Sequence, residues 1–453
     1  MEAAALFGGS FLHNCEKSNN YVNYLTKSPL LCKIFEKKEK EVGLLRRIGI
    51  CALLLLWLLS ALPGVTWADG EIELASEAAI LMDAGTGQIL YAKNARERLY
   101  PASITKVMTG LLALEALDAG QMLTVSQEAV NQVPRTSSHI SLQPGEELTV
   151  ADAMYALPIS SANDAANVLA EGVSGSIEAF AQRMNERSAE LGALDTHFVN
   201  PNGLPNSEHY TTAYDMAQIT AEALKNPDFL LYFGSGAYEM PATNISQARS
   251  LVCKNQFIDG ERSCSGLLFS KTGWTTSAQG TLVTAARRDG ITLIAVTLKS
   301  PMLEDKYEDT QALLDYGFSG FEKLAVDEAF VFAQLREQGM DRDAELVDFE
   351  PYSLLIPRDA EARLVVPGGI DPDSGVRTLP VSLAVRREDG AEQVLADSLL
   401  NLSFSEAEDT FYAVQTQAAE PVKRSYTLAV CLPLAALAIG AGELVLRKKK
   451  RKQ

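Results

Sequence analysis

Apolar positions recur along this chain with three different spacings, and each spacing marks a different kind of segment. Residues 48–62 form an uncharged apolar run behind Arg46 and Arg47. Pro63 and Gly64 break it, and the small-x-small triplet Thr66-Trp67-Ala68 follows. This is the layout of a secretory signal peptide. An uncleaved anchor is the competing reading, because residues 48–68 are just long enough to span a bilayer. Residues 1–36 fit no targeting pattern, so translation is expected to begin near Val42. At the other end, residues 426–446 are apolar apart from Glu443, and a run of six basic residues, 447–452, follows directly. A spanning helix with its basic flank in the cytoplasm accounts for both features. A buried core helix would not need that length without polar residues.

Between these segments the periods change. Residues 79–83 and 88–91 look like strands around the turn Ala84-Gly85-Thr86-Gly87. From Ser103 onward Ile104, Val107, Met108, Leu111 and Leu112 recur at helical spacing, and Gly120 ends the pattern. Residues 150–156, 164–171, 177–192 and 212–225 carry further helical patterns. Residues 280–286 and 291–298 alternate as strands across the turn 287–290. Helices bracketed by early and late strands predict an α+β body over residues 69–320 with a mainly antiparallel sheet. In residues 321–415 short apolar runs (362–366, 381–385, 399–404) are separated by Pro, Gly and Asp turns, which predicts a small all-β domain. Residues 416–425 link it to the predicted anchor, and 447–453 form a basic tail.

The length, 453 residues, suits two or three domains. The net charge is −18 although both ends are basic, so the body is strongly acidic. A field of that sign argues against nucleic acid as a partner. The six cysteines and four histidines form no CxxC or Cys/His cluster, so a structural zinc site is not expected. Cys253 and Cys264 flank a short loop. Outside the membrane they could pair, and free thiols are equally compatible with the sequence.

Three short motifs carry candidate chemistry. In Ser103-Ile104-Thr105-Lys106 the lysine stands one turn after the serine on the same face. A serine hydroxyl needs a base to become a nucleophile, and a lysine serves only when neutral. Alone, the motif reads equally as a helix N-cap beside an exposed lysine. Ser161-Ala162-Asn163 offers a hydroxyl for proton relay and an amide for gripping a peptide, or else an ordinary capping turn. Lys271-Thr272-Gly273 sets a cation beside a hydroxyl, able to hold a carboxylate, and its glycine permits close approach of a ligand. It also reads as a strand-end turn.

Taken in order, Ser-x-x-Lys, Ser-x-Asn and Lys-Thr-Gly resemble the set found in penicillin-binding proteins and β-lactamases. The stretches LYPASITKVMTGL (99–111), Asn200-Pro201-Asn202-Gly203-Leu204, His209-Tyr210-Thr211-Thr212-Ala213-Tyr214-Asp215 and DTQALLDYGF (309–318) resemble the serine D-alanyl-D-alanine carboxypeptidases among the low-molecular-mass penicillin-binding proteins. The resemblance spans roughly residues 75–320. It implies a penicillin-binding-protein/β-lactamase-like transpeptidase domain followed by the small β domain and the anchor.

It also implies roles. Ser103 would be acylated by the penultimate D-alanine of a peptidoglycan stem pentapeptide, with Lys106 as its base. Ser161 would relay a proton to the leaving amine, and Asn163 would grip the substrate backbone. Lys271, Thr272 and Gly273 would receive the terminal carboxylate. The backbone N–H groups of Ser103 and Trp274 would form the oxyanion hole. No cofactor or metal is implied, and β-lactams are expected as covalent inhibitors. The expected location is the outer side of the cytoplasmic membrane. Ser270 and Trp274 depart from the usual residues on either side of Lys-Thr-Gly without removing a catalytic group. His209 lies outside the three motifs and is read as structural, because a lysine base leaves no task for it. A cross-bridge endopeptidase would use the same residues. A β-lactamase would need a further base, and a silent wall-binding protein would show a broken motif.

Overall fold

The structure, a computed structural model, describes residues 72–338, 344–366, 376–387 and 390–404. The expected signal peptide and C-terminal anchor fall outside the described residues. Among the described residues no helix is long and apolar enough to cross a membrane.

Strands β1 (Ala78–Asp83) and β2 (Ile89–Lys93) form the first hairpin. A 3-10 turn, Ala102–Thr105, leads into helix α1 (Lys106–Ala116). Next come β3 (Met122–Thr124), α2 (Gln127–Asn131), β4 (Glu147–Thr149), α3 (Val150–Ile159), α4 (Asn163–Ser174), α5 (Ile177–Glu190), α6 (Ala213–Ala223) and α7 (Pro227–Phe233). The chain continues through the small hairpin of β5 (Ala237–Met240) and β6 (Arg249–Val252). It then returns to the first sheet as β7 (Leu267–Thr275), β8 (Gln279–Arg288) and β9 (Ile291–Ser300), and closes with α8 (Asp305–Gly320).

The main sheet has the order β2-β1-β9-β8-β7, with every neighbour antiparallel. Helix α6 packs on β1 and β9, while α8 packs on β8, β9 and β1. Sandwiched strands read as unbroken apolar runs, because both faces are covered. Hence β1, Ala-Ala-Ile-Leu-Met-Asp, is buried at every position. Helix α1 is similarly enclosed, buried from Lys106 through Ala113 and packed against α4, α6, α3 and α7. Gly110 admits the Phe233 ring there, since a Cβ would come within 2.5 Å of it.

The periodic pattern foresaw β1, β2, β8, β9, α3 to α6 and the helix after Ser103. It did not foresee α2, α7, α8 or the hairpins β3/β4 and β5/β6. Strand β7 also differs from expectation: Lys271-Thr272-Gly273 lies inside the strand and not at a turn before it. No alternation shows because the buried positions are Phe269, Ser270, Lys271 and Gly273, three adjacent and only one of them a large apolar residue. Cys253 and Cys264 are free thiols.

Beyond residue 320, β10 (Phe321–Val326) precedes helix α9 (Glu328–Glu337), and β11 (Ala344–Val347), β12 (Tyr352–Pro357), β13 (Ala360–Val365), β14 (Val376–Arg387) and β15 (Glu392–Phe404) follow. Strand β10 pairs with β12, and the other four form a sheet in the order β11-β15-β14-β13. The all-β expectation is therefore corrected: the described residues of this part include a helix. Asp327 caps it by accepting from the Phe330 N–H, and Val331 and Leu335, four apart, bury into the β core with Leu364, Leu379 and Leu402. A helix this short, set among turn-separated strands, carries too few apolar turns to stand out in sequence. The Gln88 amide both donates to and accepts from the Leu355 backbone, joining this part to the main sheet.

Candidate active site

Ser103 sits on a turn held against its preferred geometry. Ala102 before it adopts φ +49°. A non-glycine residue in that region costs of order 1–3 kcal/mol and persists only where its surroundings hold it. Here they do. The Pro101 carbonyl accepts from Thr281 Oγ1 (2.8 Å), and the Ala102 carbonyl accepts from Thr105 Oγ1 (2.8 Å). Two glycines let neighbouring backbones close in. A Cβ at Gly203, itself at φ +83°, would fall 1.9 Å from the Ala102 carbonyl oxygen. One at Gly273 would fall 2.8 Å from the Ser103 nitrogen. Strand β7 therefore runs directly against the serine backbone, and Trp274 takes the next position along it.

Lys106 begins α1 one turn after the serine, and its side chain is fully buried. Its Nζ lies 3.1 Å from Ser103 Oγ, 2.6 Å from Asn163 Oδ1 and 2.6 Å from the Asn202 carbonyl oxygen. Burial, and after it the nearby Lys271 cation, pull its pKa well below the ordinary lysine value. A neutral amine has two N–H groups and one lone pair. With the two carbonyl oxygens taking the N–H groups, the lone pair is left for the serine hydroxyl.

Ser161 and Asn163 lie where α3 ends and α4 begins. The Ser160–Ala162 break displays the Ser161 hydroxyl, and Ser161 has φ +51°. Asp164, next in line, accepts from the Ile140 and Leu142 N–H groups and so ties the 138–142 loop to α4. Lys271, buried on β7, donates to Ser161 Oγ (3.0 Å) and to the Thr272 carbonyl (2.7 Å). Burial lowers its pKa to about 8. Two hydrogen-bonded links thus meet here, Ser103 to Lys106 to Asn163 and Ser161 to Lys271, with the backbone of the α3–α4 break between Ser161 and Asn163. Thr272 is half-buried beside it. Trp274, the residue after Gly273, is 59% exposed.

The departures at Ser270 and Trp274 are accommodated. Ser270 is buried, accepts from Asn255 Nδ2 (3.0 Å) and pairs with Thr284 Oγ1 (2.9 Å). Motif reading missed the Asn202 carbonyl on Lys106, which comes from the Asn200–Leu204 stretch, as well as Gly203 and the Thr105 hydroxyl. Asn163, expected to grip the substrate backbone, accepts from Lys106 through its Oδ1. Among the described residues no group of His, Cys, Asp and Glu is arranged to hold a metal ion.

Comparison with known proteins agrees with this arrangement. The D-alanyl-D-alanine carboxypeptidase family, peptidase family S11, matches residues 65–302. The chain is 36% identical to D-alanyl-D-alanine carboxypeptidase DacF of Bacillus subtilis over 296 residues, 62% of this chain and 73% of that one. It is 34% identical to DacC of Escherichia coli over 313 residues, 65% and 76% of the two chains. Among solved structures, a mutant of the Streptomyces K15 DD-transpeptidase aligns with a TM-score of 0.52 at 28% identity, covering 55% of this chain and all of that one. Penicillin-binding protein 6B of Escherichia coli shares the fold, with a TM-score of 0.60 at 22% identity over 75% of this chain and 99% of that one. With its three motifs converging on one buried lysine and one edge strand, this chain belongs to the D-alanyl-D-alanine carboxypeptidase family.

Proposed function

We propose that this protein removes the terminal D-alanine from peptidoglycan stem pentapeptides through an acyl-enzyme on Ser103. The observation that carries the reading is the meeting of two hydrogen-bonded links, Ser103 to Lys106 to Asn163 and Ser161 to Lys271, at the α3–α4 break. Strand β7 is the edge of the main sheet, so an extended peptide can lie along it as an added strand. Its terminal carboxylate meets Lys271 and Thr272. Neutral Lys106 takes the Ser103 proton as Oγ attacks the penultimate D-alanine carbonyl carbon. The oxyanion accepts from the Ser103 and Trp274 N–H groups, each such donor contributing about 3–4 kcal/mol to lowering the barrier. Ser161 relays the proton held by Lys106 to the amide nitrogen, the C–N bond breaks, D-alanine leaves, and Lys106 is neutral again. Water, deprotonated by the same base, then attacks the ester and frees Ser103. β-Lactams present a strained amide to the same hydroxyl and acylate it. Three unbroken motifs disfavour a silent wall-binding protein, and no observation favours the cross-bridge endopeptidase.

The reaction needs Lys106 neutral and Lys271 charged. The carboxylate grip is therefore present below the Lys271 pKa and lost as pH rises through about 8. Protonation of Lys106 removes the base on the acid side. Purified protein is expected to release D-alanine from a stem pentapeptide with a bell-shaped kcat/KM profile, its alkaline limb near pH 8 and expressed mainly in KM. A profile flat to pH 10 would refute the role of Lys271. Absence of release from protein that penicillin still acylates would refute the carboxypeptidase reading.

The protein acts outside the cytoplasmic membrane, delivered by the segment at 48–68 and held by 426–446. The support is the apolar length of the second segment and the basic run after it. Deleting residues 426–453 is expected to shift the protein from membrane to soluble fraction with pentapeptide activity unchanged. Retention in the membrane after that deletion would remove the C-terminal anchor from the reading.

A further inference from the structure

His209 belongs to none of the three motifs, yet it stands at the end of a hydrogen-bond chain aimed at the nucleophile. The Val199 N–H donates to its Nδ1 (3.1 Å), and its Nε2 is 2.9 Å from Thr105 Oγ1. An imidazole nitrogen that accepts carries no hydrogen, so the hydrogen of the neutral ring is on Nε2. Nε2–H therefore donates to the Thr105 oxygen, and the single O–H of Thr105 donates onward to the Ala102 carbonyl at 2.8 Å. The ring is only 2% exposed. Burial, with the neighbouring His197 and Lys106, holds its pKa down to about 3, so the donor stays neutral across the working range. The segment carrying it is itself fastened. Thr211 and Leu99 exchange both backbone hydrogen bonds, 2.8 and 2.9 Å, just ahead of the nucleophile turn.

The consequence lies in the peptide unit between Ala102 and Ser103. A trans peptide is planar, and its C=O and N–H point in opposite directions. Pinning the Ala102 carbonyl toward Thr105 therefore turns the Ser103 N–H the other way, toward β7, where Gly273 lies against the Ser103 nitrogen. That N–H is one of the two oxyanion donors in the proposed mechanism. Ala102 sits in a backbone region it does not prefer, so the peptide plane keeps this direction only while its carbonyl is held.

We propose that His209 is a positioning residue that, through Thr105, aims the Ser103 N–H at the oxyanion. It touches neither substrate nor the reacting atoms. The inference rests on the reading of Ser103 as nucleophile and adds a device that motif spacing does not contain.

The test uses the full chain and two pairs of variants. His209→Phe and Thr105→Val each break the chain while filling similar space. His209→Gln and Thr105→Ser each restore a donor or hydroxyl at nearly the same place. For both breaking variants kcat on pentapeptide and the acylation rate with penicillin are expected to fall about 10- to 100-fold, as for a small misplacement of a catalytic group. KM is expected to stay within about threefold, because substrate grip at Lys271 is untouched. The Gln and Ser variants are expected to recover most of the loss. The double variant His209→Phe/Thr105→Val should be no slower than Thr105→Val alone, since both act on one chain. Wild-type kcat in Thr105→Val, or losses that multiply in the double variant, would overturn the proposal. So would an effect confined to KM, or a lack of rescue by Thr105→Ser at equal folded fraction. Ser103→Ala measured alongside separates the two failures. Release that survives in it removes the nucleophile assignment, whereas release abolished there but normal in Thr105→Val removes only the positioning role.

Discussion

Ser103→Ala is expected to lower D-alanine release by at least about 10⁴-fold, the scale seen when a nucleophile that acts as a unit with its base is removed. The same variant should take up no penicillin, so the intact-protein mass after incubation stays that of the free chain, whereas the wild type gains one adduct. The fold should hardly notice. Ser103 is half-buried on a turn whose shape is held by Thr105, Thr281, Gly203 and Gly273 rather than by the serine hydroxyl. Only the 3.1 Å contact with Lys106 is lost, and that amine keeps both carbonyl partners. A melting temperature within a few degrees of wild type would thus accompany near-complete inactivity. A penicillin adduct persisting on Ser103→Ala would show that acylation occurs on another residue.

Lys106→Met is the second large effect, and its signature differs. The thioether fills most of the volume but provides no lone pair for the serine proton. Loss of a general base typically costs 10²- to 10⁴-fold, so penicillin acylation and kcat should fall by about that factor. Here stability should fall as well. Asn163 Oδ1 and the Asn202 carbonyl each lose a buried donor, and each unsatisfied acceptor costs about 1–3 kcal/mol. Removal of a buried amine returns part of this, because the amine was itself desolvated. Acylation rates from stopped-flow mixing, read beside thermal melts, separate the two effects. Wild-type acylation in Lys106→Met would assign the base elsewhere, with Ser161 and Lys271 the next groups of the site.

The two cations of the site have opposite requirements, and burial serves both. Lys106 must lose its proton near neutrality, and full enclosure plus the Lys271 charge lower its pKa. Lys271 must keep its proton to hold a carboxylate, and it is lowered only to about 8. Each group's unfolded pKa lies near 10.4. Deprotonation is therefore easier in the fold than in the unfolded chain, and stability from these sites rises as pH climbs toward 10. Activity at the same pH falls, since Lys271 has lost its charge. The alkaline limb thus reports on substrate grip and not on unfolding.

Local sequence determined a good deal about this protein. Helical spacing after Ser103 put Lys106 one turn beyond it, because 3.6 residues per turn places i and i+3 on one face. Short runs of apolar residues bounded by turns announced β1, β8 and β9, since strands covered on both faces are apolar nearly throughout. Three motifs in order pointed to the chemistry before any contact was known. Tertiary structure alone decided the rest. The chain brings residues 57 and 96 positions away, Asn163 and Asn202, onto the Lys106 amine, and no local period encodes such a meeting. Strand β7 showed no strand pattern of its own, because its buried positions carry a lysine and a glycine in service of the site. Helix α9 was concealed among short strands for want of length. The lowered pKa of Lys106 follows from burial among four helices and from the Lys271 cation, which is far along the chain but near in space, and the direction of the Ser103 N–H follows, in the proposal above, from His209, more than 100 residues on, through a threonine hydroxyl. Propensity and periodicity act through neighbours in sequence, whereas desolvation and hydrogen-bond geometry act through neighbours in space.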